Sequence, residues 1–289
     1  MKLALGTAQF GLDYGVSNTA GQTPIDEVRR ILYLAKVAID TLDTAAAYGD
    51  SEDVLGEIGI TDWHVITKIP PLPNNTQDGE EWVLKHILQS LDKLRIGQLE
   101  GVLLHDAHDL LKAQGGSILN ALQEAKSNGL VKKIGYSIYS PNQLDELVAI
   151  MRPDLVQAPF NVFDQRLKKT GWLDRLTHLG TEVHVRSVFM QGLLLMVSEK
   201  RPHLFDKWSE LWRRWDVAVK EGGNSAQALC LGFIKNYPNI SSVVVGVENA
   251  IHLEQLLMIW DKSVSFDATE FSCNDVDLLE PTNWKPKLL

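Results

Sequence analysis

The chain has 289 residues, 45% hydrophobic and 22% charged, with a formal net charge of −9. That is enough apolar material for a large core, and the acidic balance argues against a nucleic-acid partner, which needs a concentrated positive face. Two cysteines, Cys230 and Cys273, cannot build a disulfide framework and fit a reducing cytosol. The apolar run near Met1 is too short for a signal peptide and no run approaches the ~20 residues of a membrane span, so a soluble, cytoplasmic protein is expected.

Short apolar runs and amphipathic segments then alternate along the chain. Leu3–Gly6 reads as a strand, followed by a glycine-rich loop from Gln9 to Gly15. Pro24 opens a helix to about Lys36, with Asp26 and Glu27 in the first turn, where the helix dipole favours them. The second strand begins at Ile39 and ends at Asp43; Tyr48 follows in the loop, and Ser51 is the expected N-cap of a short helix through Gly56. Trp63–Thr67 is the third strand, ending at Lys68, and Val83, Ile87, Leu91 and Leu94 mark a helix from about Glu81 to Leu94. Gly101–Leu104 is the fourth, ending at His105, with a helix from about Ser117 to Asn128 closed by Gly129. The fifth strand, Val131–Tyr136, runs into Ser137, and a helix from Pro141 to Met151 leads to the sixth, Leu155–Ala158, which carries Gln157. A helix over about Gly171–Leu179 leads to the seventh strand, Val183–Val185, ending at Arg186 and Ser187.

A longer connection interrupts this rhythm. Leu204, Trp208, Leu211, Trp212, Trp215 and Val219 recur on one helical face, giving an extra amphipathic helix packed on the body of the protein or a lid over a site. Asn224 is the expected cap of the next helix, ending near Tyr237; Ser242–Val245 is the eighth strand, followed by Gly246 and a helix around Leu253–Ile259. Eight strand–helix units in one uninterrupted chain predict an α/β fold, a (β/α)8 TIM barrel, as a single domain over 1–289, with an extra helix-bearing loop at about 187–223 and a short C-terminal tail at 266–289. The competing doubly wound sheet is disfavoured because no G-x-G-x-x-G follows any strand.

In a barrel, the carboxyl ends of the strands carry the chemistry. There the chain places Asp43 and Tyr48, Lys68, His105, Ser137, Gln157, Arg186 and Ser187. A tyrosine hydroxyl, with an ordinary pKa of about 10, is a poor proton donor near neutrality until a neighbouring ammonium stabilises the phenolate. A carboxylate offsets the cost of burying that ammonium, and a histidine can align a carbonyl oxygen by hydrogen bonding. None of these groups supplies a hydride, which has to come from a cofactor.

These residues stand in motifs that resemble the aldo-keto reductase family: Leu5-Gly6-Thr7-Ala8-Gln9-Phe10-Gly11, Asp40-Thr41-Leu42-Asp43-Thr44-Ala45 with Tyr48-Gly49, Ser51-Glu52 with Leu55-Gly56, Thr67-Lys68, Leu103-Leu104-His105, Ile134-Gly135-Tyr136-Ser137 and Gln191-Gly192-Leu193-Leu194. The resemblance covers nearly the whole chain and implies reduction of an aldehyde or ketone with NAD(P)H. It makes Tyr48 the general acid, tuned by Lys68 and Asp43, with His105 orienting the carbonyl. It further implies cofactor contacts from Gly6, Thr7, Ser137, Gln157, Arg186, Ser187, Gly192, Gly246, Val247, Asn249, His252 and Gln255. Two departures stand out: Ile138 replaces an asparagine usual in the family, and Arg186 stands where many members stack an aromatic ring on the nicotinamide. Many members also hold the 2′-phosphate of NADP with a lysine and an arginine near the eighth strand, where this chain has Glu248 and His252. NADP(H) is expected on family precedent, with NAD(H) the alternative.

Phe10 and Tyr14 are candidate substrate contacts, with Gln9, Asp13 and Trp284 also in reach of the pocket-forming loops and tail. The expected partner is a small carbonyl substrate, a sugar or sugar derivative by analogy with short bacterial members of the family. Two other classes compete. A nucleotide-sensing barrel would bind without reducing, and His105-Asp106-Ala107-His108 would suit a metal-dependent hydrolase, although no second ligand cluster completes a metal site and none is expected.

Overall fold

A computed structural model describes residues 1–284 apart from 75, 77, 263 and 264. Its strands are β1 (Lys2–Gly6), β2 (Thr41–Asp43), β3 (His64–Ile69), β4 (Leu99–Leu104), β5 (Val131–Ser137), β6 (Leu155–Pro159), β7 (Glu182–Arg186) and β8 (Ser242–Gly246). All neighbours are parallel, and the sheet closes in chain order, with Lys2 opposite Ser242 through to Gly6 opposite Gly246. Strands buried on both faces read as continuous apolar runs rather than alternating ones, which is why they stand out in the sequence.

The period-two alternation of a strand divides each run between the barrel interior and the surrounding helices. Ile66, Leu103 and Leu155, from β3, β4 and β6, form a small cluster of their own and fill the interior. Their same-face neighbours toward the carboxyl ends are Lys68, His105 and Gln157. Thr67, on the opposite face of β3, instead donates to Glu52 Oε1 at 2.6 Å on the helix Ser51–Ile58. The plug of three aliphatic side chains is thus the floor on which the polar strand ends stand.

Outside the barrel, helices Ile25–Ala35, Ser51–Ile58, Gly79–Leu94, Gly115–Ser127, Leu144–Ile150, Trp172–His178, Ala226–Lys235 and Ala250–Lys262 follow successive strands. The stripe Val83, Ile87, Leu91 and Leu94 is buried against the sheet. Two expected caps differ. Ser51 is the first residue of its helix rather than its cap, because its hydroxyl turns inward to Thr7 O at 2.9 Å and Thr7 Oγ1 at 2.8 Å. Ser225, not Asn224, caps the helix Ala226–Lys235, accepting from the Ala228 N–H at 3.1 Å, while Asn224 bonds back to Gly222 O. The expected helix from Pro141 splits into a 3-10 turn, Pro141–Gln143, and the helix Leu144–Ile150.

The helix in the long connection after β7 spans Ser209–Glu221 and packs on the barrel. Trp215 is 1% exposed; its indole N–H donates to Leu194 O at 3.0 Å, and its ring meets Phe271 and Phe163 edge-on. Trp208, Trp212 and Trp215 line neither of the two cavities at the barrel mouth. The tail ends its described part at Trp284, which is buried against Phe205 at 5.2 Å; residues 285–289 of the expected tail lie outside the described residues. Among the described residues no helix is long and apolar enough to cross a membrane. Because Trp215 is a structural anchor, Trp215→Ala is expected to lower stability by about 3–5 kcal/mol, read as a fall in the urea midpoint.

Candidate active site

Four side chains converge at the carboxyl ends of β2, β3 and β4. Lys68, 1% exposed, donates from Nζ to Asp43 Oδ1 at 2.7 Å, to Thr44 O at 2.9 Å and to Tyr48 Oη at 3.4 Å. The second Asp43 oxygen accepts from Gln157 Nε2 on β6 at 2.6 Å. Burial by itself pushes the lysine toward its neutral form, but Asp43 and the Tyr48 oxygen outweigh it and hold the pKa above the ordinary value. Lys68 is therefore an ammonium whose three protons are all aimed at oxygens.

Tyr48 is placed by a backbone contact between the first two loops. Gly49 takes φ +53°, and a Cβ there would sit 2.2 Å from Gly11 O; a Cβ on Gly11 would sit 1.9 Å from Tyr48 O. Only glycines let these turns pass so closely, and the approach holds the phenol beside Lys68. The His105 ring meets the Tyr48 ring edge-on, with centroids 5.9 Å apart. His105 Nδ1 is buried without a hydrogen-bond partner. Burial, then the positive charges of Lys68 and Arg186, drive the His105 pKa down to about 4, so the ring is neutral at pH 7.

Two cavities open on either side of this group. The first, about 340 Å³, begins at Asp43 and Tyr48 and runs to the ends of β7 and β8. Gly6, Thr7, Tyr14, Arg186, Ser187 and Gly192 line its near part, and Gly246, Val247, His252 and Gln255 its far part. Burial and the neighbouring Tyr48 oxygen raise the Tyr14 hydroxyl to about 12, leaving it a donor. Ser187 (φ 59°), Met190 (φ 47°) and Gln191 (φ 54°) all hold the left-handed conformation in the loop after β7, and Ser187 and Gln191 line this cavity. Such backbone costs of order 1–2 kcal/mol per non-glycine residue, and clustering of this kind marks functional loops. The second cavity, about 600 Å³, is lined by Ala47, Pro71, His105, Asp106, His108, Tyr139, Ser140, Gln143, Glu280 and Thr282. Tyr48 and His105 thus stand at the boundary between the two.

Several expected contacts lie elsewhere. Phe10 is fully buried in the core, because the turn Ala8–Gly11 directs its ring inward, and it reaches no cavity. Ser137 and Gln157 face each other across β5 and β6 behind the cavity wall, and Gln157 is engaged by Asp43. Asn249 lines neither cavity; its Oδ1 accepts from the His252 N–H at 2.8 Å and caps the following helix. Trp284 and Asp13 line neither cavity, whereas Gln9 lines the first. The lining residues missed from sequence include Gln227 in the first cavity and Tyr139, Gln143 and Glu280 in the second, while Gln191, known from its motif, lines the first and Asp106, read only as a possible metal ligand, lines the second. Tyr139 and Gln143 follow the β5 end closely enough to have been found; nothing local marks Glu280. Among the described residues no three His, Cys, Asp or Glu side chains gather as metal ligands.

The depressed His105 pKa makes a prediction about stability. The unfolded chain takes up this proton near pH 6.5 and the folded chain only near 4, so folded-state stability falls as pH drops through that window and levels off below it. The cost is expected to approach about 3 kcal/mol, read as the difference in urea midpoint between pH 7 and pH 4 for the wild type minus that for His105→Gln.

Residues 2–274 match the sequence model of the Aldo/keto reductase family. The chain is 26% identical over 213 residues to an uncharacterized oxidoreductase of Bacillus subtilis (strain 168), covering 67% of this chain and 66% of that protein. It is 22% identical over 234 residues to the L-glyceraldehyde 3-phosphate reductase of Escherichia coli (strain K12), covering 73% and 65%. A 6-dehydroglucose reductase of Novosphingobium aromaticivorans is 27% identical over 184 residues, covering 55% and 58%. Each match spans less than two thirds of the relative's own length. Among solved structures, an aldo-keto reductase from Bacillus halodurans in its holo form superposes with a TM-score of 0.73 at 18% identity, over 93% of this chain and 89% of that one, a likeness of fold. With the family's sequence model matched over nearly its whole length, the chain belongs to the aldo/keto reductase family.

Proposed function

We propose that this protein reduces a small aldehyde or ketone to an alcohol, using a nicotinamide dinucleotide, with Tyr48 as the proton donor. The observation that carries the reading is the Lys68 ammonium, held by Asp43 at 2.7 Å and aimed at the Tyr48 oxygen. When the phenol gives up its proton, the charge left on oxygen faces a cation that is already desolvated and hydrogen-bonded, so little reorganisation is needed. Asp43 keeps Lys68 charged and in place, and Gln157 satisfies the remaining Asp43 oxygen. Neutral His105 serves as a hydrogen-bond donor that orients the substrate carbonyl at the boundary between the two cavities.

A bound nicotinamide supplies the hydride that none of these side chains can. The residues present fit it. The first cavity leads from Tyr48 away to β8 and is lined along the way by Gly6, Gly192 and Gly246, which leave room there, and by the Arg186 cation. Arg186, pinned by Ile138 O at 3.0 Å and lying 4.8 Å from the Tyr139 ring centroid, presents a planar cation to that cavity. The relatives named as reductases of L-glyceraldehyde 3-phosphate and 6-dehydroglucose support a sugar-type carbonyl as substrate.

The corner that family precedent assigns to the 2′-phosphate carries the Glu248 carboxylate, with His252 Nδ1 3.9 Å from it. The helix Ala250–Lys262 has two of its first N–H groups already taken, Ala250 by Glu27 at 2.8 Å and His252 by Asn249. With the anion site partly filled and a carboxylate beside it, the family's preference for NADP(H) is weakened, and the proposal is use of both dinucleotides.

Tyr48→Phe is expected to lower turnover by about 10²–10⁴ while the dinucleotide still quenches protein fluorescence as in the wild type; near-normal reduction would sink the assignment. NADH and NADPH are expected to differ by no more than about tenfold in Kd, and Glu248→Arg to move the ratio about tenfold toward NADPH. Fluorescence titration of both dinucleotides checks this, a strong NADPH preference in the wild type being the contrary result.

A further inference from the structure

We propose that the cavity beside His105 selects an uncharged, hydroxyl-rich carbonyl compound and rejects phosphorylated or carboxylated ones, through Asp106 and Glu280. The inference rests on the carbonyl-reduction reading and adds the charge class of its substrate. Among the described residues lining the cavity there is no lysine or arginine, and two are carboxylates.

The cations nearby are already committed. Arg166 grips Asp164 with two parallel hydrogen bonds of 2.8 Å, donates to Tyr139 O at 3.0 Å, and spends its remaining contact on Glu280 Oε1 at 3.1 Å. One guanidinium therefore serves two carboxylates, and Glu280 lines the cavity. Arg186, 4.8 Å from the Tyr139 ring centroid, lines the first cavity rather than this one.

Two backbone donors at the wall that could receive an anion are also spent. The chain turns into the 3-10 segment Pro141–Gln143 at the cavity wall, but the N–H groups of Tyr139 and Ser140 both go to Gln143 Oε1, at 2.7 and 2.9 Å. Proline at the first position of that turn has no N–H to offer. With its oxygen so used, the Gln143 amide nitrogen faces the His108 ring at 3.2–3.3 Å. Asp106 Oδ1 takes the His108 N–H and lies 3.1 Å from His108 Nδ1, which leaves Oδ2 to accept from a substrate hydroxyl. Hydroxyl groups meet carboxylate acceptors here, whereas a phosphate meets two negative charges and, among the described lining residues, no lysine or arginine to offset its own.

The test compares kcat/KM for erythrose and for erythrose 4-phosphate with each dinucleotide. The wild type is expected to favour the neutral sugar by at least about tenfold, with the gap narrowing as salt is added. Asp106→Asn with Glu280→Gln is expected to raise the ester-to-parent ratio about tenfold; Asp106→Asn alone, which keeps the acceptor for the His108 N–H, shifts it in the same direction. Equal or better use of the ester by the wild type, or a ratio unmoved in both variants, overturns the charge selection and leaves carbonyl reduction standing. If neither sugar nor any neutral aldehyde oxidises either dinucleotide, the carbonyl-reduction reading falls and this inference with it.

Discussion

Everything at the mouth of this barrel depends on the buried pair of Lys68 and Asp43. An ammonium taken from water without a partner loses far more solvation than a fold of marginal stability can supply, so Lys68 is tolerable only with a carboxylate in contact and its other protons satisfied. Asp43, Thr44 O and Tyr48 meet that requirement from β2 and its loop, and Gln157 completes the carboxylate from across the barrel. Such a pair contributes little to net stability compared with two apolar residues of the same size. What it provides is a fixed positive charge at one point beside one phenol. The short β2, the glycine contact between Gly11 and Gly49, and the aliphatic plug beneath Lys68 all hold that point in place.

The same charge organises its surroundings unequally. His105, near two cations and shielded from water, stays neutral, and the pair Tyr48–His105 stands between two compartments of the mouth. On the β7–β8 side the Arg186 guanidinium lines the cavity, together with Asp43, Glu248 and His252; on the β4–β5 side the described lining has two carboxylates, two imidazoles and uncharged groups, with no lysine or arginine.

Much of this is legible in the order of the amino acids. The buried parallel strands announce themselves as apolar runs, and their ends carry Asp43, Lys68 and His105 in places that topology alone brings together. Where local signals compete, the residue pattern misleads. Ser51 and Asn224 both look like helix caps, but a buried hydroxyl next to Thr7 and a better-placed Ser225 take the roles instead. Asn249 stands where a cofactor contact is expected and is a cap. Phe10 lies in a glycine-rich loop at the right strand end, yet a single helical turn is enough to swing its ring from the pocket into the core.

The fold and the meeting of Asp43, Lys68 and His105 follow from the chain's own pattern, because hydrophobic periodicity and strand order are local properties that force strand ends onto one rim. Which side chains line which cavity is a matter of tertiary packing. Glu280 lines the same cavity as Asp106 and His108 from more than half of the chain away, and the Trp208–Trp215 segment packs on the barrel rather than covering the site. Those outcomes turn on side-chain direction and long-range contact, which no run of neighbouring residues encodes.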